Sequence, residues 1–161
     1  MVNWLSWFGH SFRGLVCWEG AGNSIDSWIN KATQSLSNAS RLAVEHGVNA
    51  MTHVIGFGLA GHIKEMLSTT GFSMEWSDEI DVLGNVARCT QRGIHSTAHE
   101  SKQLYAGSVG IGAPDPVVFD PHTCSPLVVA IQPASARDLM KAWREVGLSP
   151  QRVGRITTET S

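Results

Sequence analysis

Cysteine is scarce in these 161 residues: Cys17, Cys89 and Cys124 are odd in number, far apart and form no CxxC pair. That spacing disfavours zinc ribbons and disulfide frameworks and suits a reducing compartment, so a cytoplasmic location is expected. Charge is sparse as well. Only 16% of residues are charged and the net charge is −2, which argues against the clustered Lys and Arg that broad capture of nucleic acid requires. No apolar run approaches the roughly 18 residues of a membrane span. No cationic segment followed by an apolar one and a small-residue cleavage site opens the chain, so export is not indicated. What remains is an ordinary globular composition, 42% hydrophobic, long enough for one compact domain with a real core.

Residues 1–22 differ in texture from the rest, holding Trp4, Trp7, Phe8, Phe12 and Trp18. Two readings stand: an extension packed on its own domain, or an aromatic arm lying on a membrane or a partner. Arg13 is the sole Lys or Arg there, which weakens the membrane reading. The sequence divides into this arm (1–22), a domain (23–156) and a short tail (157–161). Apolar residues from Ile25 to Ala43 recur with helical period, Ser24 can cap that helix and Gly47 ends it. A strand over Ala50–Ile55, a helix over His62–Thr70 and a strand at FSMEW follow. Another helix is expected from Ile80 to Gln91, then a Gly- and Pro-rich loop between Tyr105 and Pro116. Pro126–Ile131 reads as a buried strand. Pro133 opens a helix closed by Gly147, with Leu139, Met140, Trp143 and Val146 on one face, and QRVGRI offers a final strand. Strands alternating with helices predict an α+β fold in layers, with a mixed β-sheet packed against helices.

Gly56-Phe57-Gly58-Leu59-Ala60-Gly61 has the G-x-G-x-x-G spacing of a dinucleotide-binding turn. A dinucleotide-dependent oxidoreductase is therefore one reading, and Glu75 and Asp78 lie near the distance for a ribose contact. A long helix ahead of the first strand and too few β-α units after the second count against it. The flanks carry a more specific pattern. THVIGFGLAGHIKEM (52–66) resembles the selenophosphate synthetase (selenide, water dikinase) signature Thr-Asp-Val-Thr-Gly-Phe-Gly-Leu-x-Gly-His, followed by a helix with Glu-Met. GNVARCTQRGIHST (84–97) resembles that family's helix ending in Gly-Ile-x-Ser-Thr. DPHTCSPLVVAIQPASARDLMKAWREVG (120–147), then RVGRI, resembles its Asp-Pro-Gln-Thr-Ser-Gly-Gly-Leu-Leu ending. In order and spacing these blocks cover about residues 24–156.

The resemblance implies the C-terminal α+β domain of the aminoimidazole ribonucleotide synthetase-related group. It implies ATP and Mg²⁺ as cofactors, and Asn38, Gly56, Gly58, Gly61 and Thr123 as residues near the nucleotide. It also implies a catalytic N-terminal half, whose reactive Cys and Lys match nothing in residues 1–23. Cys17, in LVCWEG, has no neighbouring Lys and reads as an apolar cysteine. No catalytic residue is assigned within the chain. Departures fall where the chemistry would be. His53 stands at the position of the signature's metal-binding Asp, although Mg²⁺ prefers oxygen ligands to imidazole. Ile55 replaces a Thr, and Cys124-Ser125-Pro126 replaces Ser-Gly-Gly, where Pro fixes φ and removes an N–H. The expectation is a degenerate relative, or one half of a split enzyme needing a separate N-terminal half. The rival is a non-catalytic module that dimerises or docks a partner. The unpaired N–H groups at the start of the helix after the loop also offer an anion-binding site. His95 and His99, four apart, could share a helix face as metal ligands. The competing reading, and the expectation taken, is a pair of solvent-exposed loop histidines. His10, His46 and His122 belong to no constellation.

Overall fold

In the computed structural model, the described residues are 3–7, 29–30, 33–78, 80–81, 92–107, 109–110, 115–121, 126–158. They form β1 (Asn3–Trp7), α1 (Ser37–Glu45), β2 (Ala50–His53), α2 (Gly58–Leu67) and β3 (Ser73–Trp76). These are followed by α3 (His99–Ala106), a 3₁₀ turn (Pro116–Phe119), β4 (Leu127–Ile131), α4 (Pro133–Glu145) and β5 (Gln151–Thr157). The strands make one five-stranded sheet in the order β2-β4-β1-β5-β3. Every described pairing is antiparallel, so the class is α+β as expected, with an antiparallel sheet in place of the expected mixed one. β1 is the central strand, and residues 3–7 of the aromatic N-terminal stretch thus enter the sheet. Residues 8–22 lie outside the described residues, as does 82–91, most of the helix expected from Ile80 to Gln91.

β4 explains the layering. All five of its residues are buried, and strand side chains alternate between faces. Val128 and Ala130 join α2, α3 and the 3₁₀ turn in one core, with Leu59, Ile63, Phe119, Val153 and Ile156 among its members. Leu127, Val129 and Ile131 point the other way, packing with Ala39 and Ala43 of α1 and Ala136, Leu139 and Trp143 of α4. The result is a sheet covered by helices on both faces. The α4 stripe falls at i, i+3 and i+7, as one helix face requires. Val146, expected on that face, lies past the helix end and is exposed.

The long helix expected from Ser24 to Gly47 is interrupted. Residues 29–30 are helical, Thr33 is in a turn, residues 34–36 are not helical and α1 begins at Ser37. Ser and Thr side chains compete with the helical ladder for backbone groups. Here Ser35 Oγ accepts from the Ser37 N–H at 3.3 Å, whereas the Thr33 N–H still donates to the Ile29 carbonyl at 3.0 Å, with Thr33 Oγ1 sharing that oxygen at 2.9 Å. α2 starts earlier than expected, inside the glycine motif itself. No helix among the described residues is long and apolar enough to cross a membrane.

Candidate functional site

β2 delivers the chain into the glycine turn, and the sheet fixes what lies beside it. His53, the last residue of β2, pairs with Leu127 in the ladder, and the Val54 N–H donates to the Pro126 carbonyl at 2.8 Å. The signature segment therefore runs next to the end of the 120–126 segment. His53 and Ile55 are exposed there, while Val54 is buried.

The turn is held by its own side chains. His62 Nε2 accepts the Ile55 N–H at 3.0 Å, which requires that nitrogen to be unprotonated. Burial pulls the His62 pKa below its ordinary value, and Glu65 opposes that shift more weakly. Phe57 is partly exposed and lies edge-on to His62 at 5.7 Å and tilted against Tyr105 at 5.5 Å. Lys102 Nζ sits 4.6 Å from the Phe57 ring centre and Lys64 Nζ 4.5 Å from that of Tyr105, the geometry of cation–π attraction. The Tyr105 hydroxyl donates to the Glu65 carboxylate, and that bond raises the phenol pKa.

The three motif glycines have different reasons to be glycine. Gly58 adopts φ +69°, and a Cβ there would come within 2.8 Å of the Phe119 and Asp120 backbone. Both the left-handed conformation and the close approach exclude other residues. A Cβ on Gly61 would meet Phe57 Cβ at 2.7 Å, whereas one on Gly56 would meet nothing within 4 Å. Gly56 thus faces open space. Gly58, Leu59, Ala60 and Gly61 are buried, and the Gly58 N–H already donates to the Ile55 carbonyl at 3.1 Å. The first turn of α2 is accordingly buried, and one of its amides, that of Gly58, is already engaged within the protein.

The structure brings His53, Gly56, Gly58 and Gly61 together at one end of the sheet. It does not bring Asn38 there: this exposed residue belongs to α1, which packs on the opposite face. Thr123, with Cys124 and Ser125, lies outside the described residues.

Sequence reasoning missed the polar group behind the turn. His99 is only 6% exposed and Asp120 is fully buried. His99 Nδ1 and Asp120 Oδ1 are 2.8 Å apart, and Ser96 Oγ donates to the same oxygen at 3.0 Å. The expectation of two exposed loop histidines therefore fails for His99, which opens α3 with its ring in the interior. Its ring stacks on His95 at 4.1 Å between centres and meets Phe119 edge-on at 6.3 Å. The His-x-x-x-His spacing was the available signal; its carboxylate partner lies 21 residues away and no local pattern reveals it.

The buried turn against Asp120 joins three sequence blocks, and the same blocks are matched in known proteins. Residues 30–161 match the family model described as AIR synthase related protein, C-terminal domain. The chain belongs to this family. The C-terminal-domain family also accounts for the sheet: a dinucleotide turn needs a parallel β-α-β unit, whereas β2 and β3 lie at opposite edges of an antiparallel sheet. Among similar curated proteins is a "Selenide, water dikinase" of Haemophilus influenzae strain 86-028NP, 29% identical over 127 residues, 76% of this chain and 37% of the relative. Another, from Caldanaerobacter subterraneus subsp. tengcongensis, is 32% identical over 109 residues, 64% of this chain and 32% of the relative. A third, from Agathobacter rectalis, is 26% identical over 154 residues, 89% of this chain and 45% of the relative. The chain thus spans about a third to under a half of these relatives and constitutes a selenophosphate synthetase-like C-terminal domain.

Proposed function

We propose that this domain keeps the scaffold of a selenide, water dikinase while its own glycine turn no longer supports Mg-ATP chemistry, and that it works with a catalytic N-terminal half. The observation that carries the reading is His53. It occupies the place of the signature's Asp, exposed at the end of β2 beside Leu127. Mg²⁺ takes carboxylate, phosphate and water oxygens in near-octahedral geometry, and an imidazole is a poor replacement. The neighbouring Ile55 brings no hydroxyl, and the Val54, Ile55 and Gly58 amides are already donated within the protein. These residues do not fit a Mg²⁺–triphosphate on their own, so no phosphoryl-transfer step is assigned to them. ATP, selenide and the nucleophile belong in this reading to the N-terminal half, and the sparse cysteines support a cytoplasmic setting.

Calorimetry with Mg-ATP tests this. The wild-type domain is expected to give no micromolar binding, and His53→Asp to bind at least about tenfold more tightly, a difference of roughly 1.4 kcal/mol. Equal affinity of the two proteins would overturn the account of position 53. A second reading, a non-catalytic dimerising or partner-docking module, draws on Met51, Ile55 and Phe57, exposed apolar residues on or just after edge strand β2. Self-association by light scattering without nucleotide binding would favour it.

A further inference from the structure

The structure assigns a second, unrelated chemistry to the cluster behind the glycine turn: we propose that His95, His99 and Asp120 bind a divalent transition-metal ion of the zinc class. One ligand atom from each of these three residues lies within 4.8 Å of the others, and among the described residues this is the one such cluster of three. Two imidazole nitrogens with one carboxylate oxygen form a donor set that suits zinc-class ions and disfavours Mg²⁺. With bonds of about 2.0–2.1 Å to a tetrahedral ion, ligand atoms stand roughly 3.3 Å apart. Closing the triad from 4.8 Å therefore needs side-chain movements on the order of an ångström.

Two features prepare the site. Asp120 is fixed before any ion arrives, because Ser96 Oγ holds its Oδ1 at 3.0 Å, the kind of outer hydrogen bond that orients ligating carboxylates. The two histidines are already face to face at the entry to α3, at 4.1 Å and 27°, so their rings need not be gathered from separate elements. His99 and Asp120 are buried, which removes water competition from two of the three ligands. Three protein ligands leave one position of a tetrahedral ion for water or a substrate atom. The assignment is independent of whether the turn binds nucleotide, since it uses neither His53 nor the glycines.

The test is titration of the full chain with Zn²⁺, and with Co²⁺ as a spectroscopic probe, in a Cys17→Ser/Cys89→Ser/Cys124→Ser background. One ion per chain is expected, with visible Co²⁺ absorption and no loss of binding in millimolar Mg²⁺. Substituting an outer-shell partner of a metal site already weakens binding by about 10–100-fold. Loss of a ligand, by His95→Ala or His99→Ala, is expected to cost at least as much. His95→Ala keeps the buried His99–Asp120 contact, so circular dichroism matching the parent confirms that folding is retained. Absence of 1:1 binding, equal displacement by Mg²⁺, or unchanged affinity in a folded His95→Ala variant would each overturn the assignment.

Discussion

The two faces of the sheet are built on different principles. Beneath α1 and α4, Ala39, Ala43, Leu127, Val129, Ile131, Leu139 and Trp143 meet as an apolar core. Its hydrogen bond from a buried side chain runs from the Trp143 indole N–H to the Ala39 carbonyl, at 3.0 Å. Beneath α2 and α3 the core is equally well filled, but it also encloses His99 and Asp120 and brings a left-handed glycine against a carbonyl. Burying polar groups costs free energy unless each is hydrogen-bonded. One face is filled almost wholly by apolar contacts, while the other accepts the cost of buried polar groups and a close backbone approach.

The comparison can be broken first where the apolar face is thickest. Trp143→Ala removes a fully buried ring and is expected to cost about 3–5 kcal/mol of stability, read from a denaturant midpoint. Zinc affinity per folded molecule should not change. A loss below about 1 kcal/mol would show that the α1–α4 face contributes less than its burial suggests. Next comes Gly58→Ala on the other face. Left-handed strain alone costs about 1–2 kcal/mol, and the clash with the Phe119 and Asp120 backbone adds to it. Unlike Trp143→Ala, this change should also disturb the His99–Asp120 pair, visible as shifted imidazole resonances. Normal stability with unshifted resonances would contradict the packing described for the turn.

The smallest expected effect depends on pH. The His62 pKa is lowered by burial, so the neutral ring favours the folded state. Its contribution is fully present above the unfolded value of about 6.5 and is lost as pH falls through the lower folded value. Between pH 7 and pH 5, protection of the Ile55 amide against hydrogen exchange, corrected for intrinsic rate, should decline. His62→Ala should remove that decline. Protection that is pH-independent in the wild type would mean His62 does not hold the turn.

Local pattern revealed what local pattern controls. The α4 stripe, the all-apolar β4 run and the position of Gly147 after its helix followed from periodicity and caps, and the resemblance of several blocks in register pointed to the family. The rest depends on contacts between distant residues. At the break before α1, Ser35 Oγ accepts the Ser37 N–H, a donor that helical period alone assigns to the ladder, while the Thr33 N–H keeps its ladder bond to Ile29. β1 pairs with strands near the other end of the chain, a partnership that the composition of residues 3–7 does not reveal. His99 looked like a loop residue because Asp120, its partner, is invisible from its neighbourhood in sequence. At the glycine turn, spacing identified the motif, but only the backbone distances separate Gly58, which nothing else can replace, from Gly56, which faces open space.

β4 belongs to both cores at once, with alternate residues serving opposite faces. Its strand is a shared wall: Val128 and Ala130 complete one core and Leu127, Val129 and Ile131 the other, so loss of the strand opens both. Local opening free energies in a protein follow such cooperative units. The two layers accordingly have one five-residue strand as their common support: global unfolding of either takes the other with it, while each core keeps its own local geometry.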